Sequence, residues 1–331
     1  MKRYLITGAK GEIGHALLDH LTEDSQVEVL ALDKQDPIES SNSQIIPIKA
    51  DITDLSALEA IFAKYQIDCI FHLAAILSSS AEKNPILAHQ VNVQGSVNLI
   101  ELAIKQAKQK NKSVRFVFPS SIAAYGVAAG ASRANLKEDQ HLTPNIIYGI
   151  NKLYVENLGH YFSRVESCFE FATVRFPGLI SAFSLPTGGT SDFASHMIHA
   201  AVKGEPYSCY VSPDLQLPYM VMPDAVNALL SLSTAPRASI VGQSFNVTSF
   251  SLGPAKTLQI LQKSYPNFKV SYQVEQWREE IIKGWPESLD DSLAQERWGW
   301  EPEYNLDKAF AQYLIPNITM LYSEEKKCIQ A

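Results

Sequence analysis

Short apolar runs alternate with stretches of helical periodicity from the start of the chain, and this alternation limits the fold more than any other feature. The runs occupy residues 4–7, 27–32, 45–50, 68–73 and 114–118, with another at 172–176. Between them, Ile13, Leu17, Leu18 and Leu21 recur at helical spacing, as do the apolar residues of 55–65. Val93, Val97, Ile100, Leu102 and Ile104 mark a longer helix over 92–108. Such alternation predicts an α/β fold with a doubly wound parallel sheet. With 331 residues, 46% of them hydrophobic and 19% charged, the chain can form a large core and about two domains.

The first run ends in Gly8-Ala9-Lys10-Gly11-Glu12-Ile13-Gly14. Glycines between a first strand and a first helix permit a tight turn at Gly8, backbone approach to a pyrophosphate at Gly11, and close helix packing at Gly14. The amides of Glu12 and Ile13, at the helix N-terminus, would then face phosphates. The spacing is GxxGxxG, and glycine-rich turns without ligands are common. Asp33 adds context, because it ends the second run 19 residues after Gly14. An acid there can accept hydrogen bonds from an adenosine ribose, which favours NAD over NADP, although Lys34 beside it could serve a 2′-phosphate. Asp51 and Ile52 end the third run and suit the side of an adenine ring. Leu73, Ala74 and Ala75 end the fourth, where small residues let a flat cofactor pass close to the backbone. His72, inside that apolar run, reads as a core histidine.

Tyr148 and Lys152, four residues apart, share one helix face. An ammonium near a phenol favours phenolate and lowers the tyrosine pKa, fitting it for proton transfer. The spacing alone favours a packed tyrosine and a lysine reaching solvent, and only the rest of the chain can change that. Ser121, just beyond the fifth run, is placed to hydrogen-bond a substrate oxygen. The segment 76–85 reads as a polar loop whose hydroxyls are substrate candidates. In the second half, Thr190, Ser191 and Asp192 open a helix that continues to Val202. Simple helix capping would explain them. They also offer hydroxyls and amides for a carboxylate, and an acid for an ammonium, which together suit a small zwitterion. Asp224 reads as a helix cap.

The net charge of −7 argues against nucleic acid as the main partner. Cys69, Cys168, Cys209 and Cys328 are scattered, so neither a metal site nor a disulfide framework is expected. No stretch is apolar enough to span a membrane. Gly8, Gly11 and Glu12 interrupt the first run too early for a signal peptide, so the chain is expected to begin in its fold, in the cytoplasm.

Taken together, these residues resemble the extended short-chain dehydrogenase/reductase family. The pieces are Gly8/Gly11/Gly14, Asp33, Asp51, Leu73-Ala74-Ala75, Ser120-Ser121 with Tyr125-Gly126, and Tyr148 with Lys152, in the family's order. The resemblance implies a Rossmann fold and NAD, with Ser121, Tyr148 and Lys152 as catalytic residues. It places Asn92 as a supporting residue of the cofactor site and a backbone turn, begun by Pro177, beside the nicotinamide. Further segments are similar to the short-chain type of L-threonine 3-dehydrogenases: Gly-Gly-Thr-Ser-Asp-Phe-Ala at 188–194, Trp-Pro-Glu-Ser-Leu-Asp-Asp-Ser at 285–292, and Trp298-Gly299-Trp300. That likeness implies L-threonine as substrate, oxidised at its 3-hydroxyl, and makes Ser78, Thr190, Ser191, Asp192 and Trp285 its contacts. Ser191 departs from a usual threonine but keeps the hydroxyl. Trp285 stands where sugar-nucleotide relatives carry an arginine segment, although Arg278 and Arg297 are also nearby in sequence. The alternatives are a nucleotide-sugar epimerase or dehydratase, and a non-catalytic NAD(H)-binding regulator.

The family pattern also implies interleaved domains. Residues 1–176 would bind NAD, with later segments near 220–250 returning to that unit. Residues 177–315 would form mainly a smaller C-terminal α/β substrate lobe, and 316–331 a tail. A homodimer is implied, with Tyr154, Leu158 and Tyr161 as a candidate face.

Overall fold

The computed structural model describes residues 1–185 and 189–330, the side chains of 324–330 excepted. Strands β1 (Lys2–Thr7), β2 (Val27–Asp33), β3 (Ile45–Lys49), β4 (Cys69–His72), β5 (Val114–Ser121) and β6 (Phe169–Phe176) pair side by side, all parallel. The next three strands along the chain lie outside this sheet: β7 (Gly178–Ile180), β8 (Tyr207–Cys209) and β9 (Leu217–Val221). Then β10 (Ser244–Asn246) rejoins beside β6, giving seven strands in the order β3-β2-β1-β4-β5-β6-β10. Pro47 sits in β3, at the sheet edge, where the missing amide breaks no interior ladder.

Helices cover both faces. On one face, α2 (Leu55–Lys64), α5 (Gly95–Lys110) and α6 (Ile147–Val165) bury Leu58, Leu99, Ile100 and Val155 against Leu5, Leu30, Ile70 and Phe116. Burying each such aliphatic side chain stabilises the fold by roughly 1.5–3 kcal/mol. On the other face, α1 (Glu12–Leu21) packs with α8 (Met222–Thr234), so Leu17 and Leu21 share a cluster with Val226, Leu229 and Leu232. A separate cluster organises the rest of the second half around α7 (Phe193–Lys203), including Phe193, Met197, Tyr210, Ile282 and Trp285.

Three expectations change. The segment after β4 is not a loop throughout: α3 (Ser78–Lys83) and α4 (Pro85–His89) form there, and α4 runs through a π turn at Gln90–Gln94 into α5. Asn84 starts α4 by accepting a hydrogen bond from the Leu87 amide, with Pro85 at the first helical position. The polar triplet Ser78-Ser79-Ser80 hides α3 from hydrophobic periodicity. Second, Pro177 leads into a strand, because β7 pairs with β9. Third, Asp224 caps no helix. It is buried and accepts hydrogen bonds from Ser249 Oγ and from the Glu303 and Tyr304 amides, joining α8 to distant segments. The stretch Ile315–Gln330 is helical, and Tyr322 meets His199 Nδ1 of α7 at 2.8 Å. Among the described residues, no helix is long and apolar enough to cross a membrane.

Candidate active site

The carboxyl ends of β1, β2, β4 and β5 open into one cleft of about 510 Å³, which also receives segments 176–179 and 189–192 and Trp285. Strand connections run in opposite directions from β1, which is where ligands bind in such sheets. Gly8 turns the chain there with φ +70°, and a Cβ at Gly8 would stand 2.8 Å from the Ala74 nitrogen. Only glycine meets both demands. Gly11, Glu12, Ile13 and Gly14 line the cleft as α1 begins. The N-cap of α1 is Gly11, which has no side chain to occupy the first-turn amides, so an anion can take them.

Asp33 sits at the cleft wall. Its Oδ2 accepts from the Lys10 amide and its Oδ1 from the Gln35 amide, both at 3.0 Å. Each oxygen keeps a lone pair for a ribose hydroxyl. Lys34, Asp51, Ile52, Leu73, Ala74 and Ala75 line the same side. Asp51 also holds the turn before α2, accepting from the Thr53 amide and hydroxyl at 2.9 and 2.8 Å. An open glycine turn, free helix amides and a fixed carboxylate together fit a dinucleotide.

Beneath this wall lies a directed polar chain. The Ala74 amide donates to Thr7 Oγ1 at 3.3 Å, and Thr7 Oγ1 lies 2.7 Å from His72 Nδ1. His72 Nε2 lies 2.8 Å from Ser96 Oγ, whose proton goes to the Asn92 carbonyl. Ser96 must therefore accept from His72, which fixes the neutral Nε2–H tautomer. Burial pushes the His72 pKa down to about 3, with Lys152 adding to the effect. Asn92 does not line the cleft. Its Oδ1 accepts from the Ile76 amide at 2.7 Å and its Nδ2 donates to the Ile76 carbonyl at 3.0 Å, so it holds the cleft wall from behind.

Helix α6 carries Tyr148, Gly149 and Lys152. A Cβ at Gly149 would lie 1.9 Å from the Ala123 carbonyl oxygen. Glycine thus lets α6 press against the turn at Ile122–Ala124, placing Tyr148 in the same cleft as Ser121. Ser121 Oγ accepts from the Ala123 amide at 3.1 Å and keeps its own proton to donate. Lys152 is buried. Its Nζ donates to the Pro119 carbonyl at 2.7 Å and lies 5.6 Å from the Tyr148 ring centroid. Burial lowers the Lys152 pKa to about 7, and Glu156 works against that fall. The expected lowering at Tyr148 is not met by this geometry. Burial raises the phenol above its ordinary value, and the polar contact of Lys152 is with a carbonyl.

The opposite wall brings together residues far apart in sequence. Ser78 Oγ and Thr190 Oγ1 lie 3.2 Å apart. The Thr190 carbonyl accepts from Tyr210 OH at 3.3 Å, and the Ser191 carbonyl from Tyr219 OH at 2.7 Å. Asp192 stands at the start of α7, yet its carboxylate accepts from the Gly189 amide at 2.6 Å instead of capping the helix. Trp285 is buried with an unpartnered Nε1, and Arg133 Nε holds its carbonyl at 2.7 Å. Gly188, part of the motif read from the sequence, lies outside the described residues.

Every residue singled out for chemistry or binding lines this one cleft except Asn92, and Pro177 is among them. Arg278 and Arg297 do not line it. Arg278 stacks over Tyr210, and Arg297 is exposed. Sequence reasoning missed Arg133, Met222 and the buried Glu156–Arg175 pair. Only the i,i+4 spacing of Glu156 from Lys152 offered a signal for that pair. Among the described residues, no three His, Cys, Asp or Glu side chains gather to hold a metal ion.

A model of the NAD dependent epimerase/dehydratase family matches residues 4–248. A protein of Staphylococcus saprophyticus described as an uncharacterized epimerase/dehydratase is 34% identical over 309 residues, covering 92% of this chain and 94% of its own. Among solved structures, a monomeric L-threonine 3-dehydrogenase from a metagenome is 33% identical, with a TM-score of 0.85 over 96% of this chain and 99% of its own. L-threonine 3-dehydrogenase from Trypanosoma brucei is 32% identical, with a TM-score of 0.87 over 98% of each chain.

Proposed function

The chain belongs to the NAD-dependent epimerase/dehydratase family, within the extended short-chain dehydrogenases/reductases, and from that membership we propose that it oxidises the 3-hydroxyl of L-threonine to give L-2-amino-3-oxobutanoate. The observation that carries the proposal is the Ser78–Thr190 wall, with Asp192 and Trp285, facing Ser121 and Tyr148 across one cleft. The threonine dehydrogenase neighbours support the same reading.

Gly8, Gly11, Gly14 and Asp33 would hold NAD, which when bound would supply the acceptor for the hydride leaving the 3-carbon. Tyr148 takes the proton of the 3-hydroxyl. Ser121 Oγ donates to that oxygen and stabilises the charge developing on it. Lys152, standing over the Phe118 and Tyr148 rings, is the cation that would pair with the phenolate. Asp192 takes the substrate ammonium, the hydroxyls of Ser78, Thr190 and Ser191 donate to the substrate carboxylate, and the Trp285 ring narrows the cleft toward an amino acid. Holding both ends fixes the reacting carbon against the cofactor.

The test is NADH formation by the purified protein with L-threonine, set against UDP-glucose as a nucleotide sugar. NADH accumulating with L-threonine alone is the expected result. Interconversion of the sugar with no net NADH would replace threonine by a nucleotide sugar. The proposal extends to assembly, with half-exposed Tyr154 and Tyr161 on α6 facing a second copy. A monomeric mass by light scattering would remove that part.

A further inference from the structure

Lys152 and Glu156 lie one turn apart on α6, and both are buried. They dock on consecutive residues of β5. Lys152 Nζ donates to the Pro119 carbonyl, and Glu156 Oε1 accepts from Ser120 Oγ. The next residue, Ser121, enters the cleft. Glu156 does not line the cleft, yet it is pinned from three strands. Arg175 of β6 donates through Nη2 to Oε2 at 2.7 Å and through Nε to Oε1 at 3.0 Å. Ser244 of β10 donates to Oε2 at 2.9 Å. Arg175 is itself held by the Glu138 carbonyl at 2.6 Å and by Tyr125 OH at 3.1 Å.

We propose that Glu156 is a positioning residue which, clamped by Arg175, sets the charge that Lys152 carries beside Tyr148. This inference rests on the place given to Lys152 in the proposed chemistry. A buried ammonium tends to shed its proton, and a carboxylate one turn away opposes that. Glu156 can do so only while ionised. Burial works against this, but Arg175 and the two serine hydroxyls hold its pKa below the ordinary value. The other groups facing the pair are Tyr148 and His160 on α6, His72 on β4, and Phe118 and Pro119 on β5. His72 is neutral, and burial also lowers the His160 pKa. Arg175 is therefore the competing charge. Removing Glu156 would leave Lys152 and Arg175 as two cations with no anion between them.

The experiment follows the Lys152 side chain by NMR in full-length protein labelled at lysine Cε, its signal assigned with Lys152→Arg. Glu156→Gln should lower the Lys152 titration midpoint by roughly one to two pH units at an effective dielectric of about 20. An unchanged midpoint in folded Glu156→Gln overturns the proposal. If that variant does not fold, Glu156→Gln/Arg175→Met removes both buried charges together, a change such pairs often tolerate. Its Lys152 midpoint should still fall below that of the unmodified protein, and an equal or higher value overturns the proposal. The titration uses no substrate, so failure of the threonine assay and failure of this inference are distinguishable. The alkaline limb of the pH–rate profile, where Lys152 gives up its charge, should also move downward in Glu156→Gln, which a purely structural role would not require.

Discussion

Ser78 Oγ lies 3.2 Å from Thr190 Oγ1, so a hydroxyl at the start of α3 meets one at the entry to α7 across 112 residues of chain. If this pair grips the amino-acid end of the substrate, Thr190→Val should lower kcat/KM for L-threonine. The expected loss is about two- to tenfold, the worth of one net hydrogen bond. It should appear in KM, measured by NADH formation, with NAD affinity unchanged.

Tyr148→Phe removes the proposed base and keeps the ring. The rate should fall by roughly 10²–10⁴ while NAD(H) still binds. Near-normal NAD-dependent oxidation by this variant would sink the assignment of Tyr148.

Asp33 presents a carboxylate fixed by two backbone amides. Asp33→Ala should weaken NAD binding roughly ten- to hundredfold, as expected for losing hydrogen bonds to a charged group. The NADP/NAD preference should rise, since Lys34 shares the cleft. Cofactor titration by fluorescence decides this, and unchanged NAD affinity would refute ribose recognition by Asp33.

Gly149 is a packing requirement with a functional consequence. A Cβ 1.9 Å from a backbone oxygen cannot be relieved by a side-chain rotation. Gly149→Ala should destabilise the protein by about 1–3 kcal/mol, as other overpacked sites do. It should also lower kcat by shifting Tyr148 relative to Ser121. Urea unfolding and steady-state rates together check both effects.

His72 supplies a pH dependence. Its folded pKa is about 3 against an ordinary value of 6.5, so between these values the unfolded chain binds a proton that the folded one does not. Stability from this group is present above pH 6.5 and is lost as pH falls from there toward 3. Urea titrations near ~pH 5 should show a steeper loss for the unmodified protein than for His72→Gln, by close to one proton. Equal slopes would mean that His72 is not the neutral link between Thr7 and Ser96.

Parts of the site were readable because they depend on neighbours in the chain. The glycine turn, the acid ending β2, and the Tyr148–Lys152 spacing are local patterns of backbone geometry and helix periodicity. α3 was not readable, because Ser78-Ser79-Ser80 carries no apolar stripe. Asp224 was misread, because its partners Ser249, Glu303 and Tyr304 lie 25 to 80 residues away.

The sequence by itself determined the alternating elements, the order of β1 to β6 along the chain, and the residues able to hold a dinucleotide. Period and turn chemistry are written in short windows. Only the tertiary structure decided that β10 pairs with β6, that α8 packs on α1 in particular, and that Ser78 meets Thr190. It also decided that Tyr148 is raised and Lys152 lowered in pKa. The physical reason is that burial and charge pairing are set by groups brought together across the fold. Lys152 and Glu156 share a helix, but Pro119, Ser120, Arg175 and Ser244, which hold them, come from three strands.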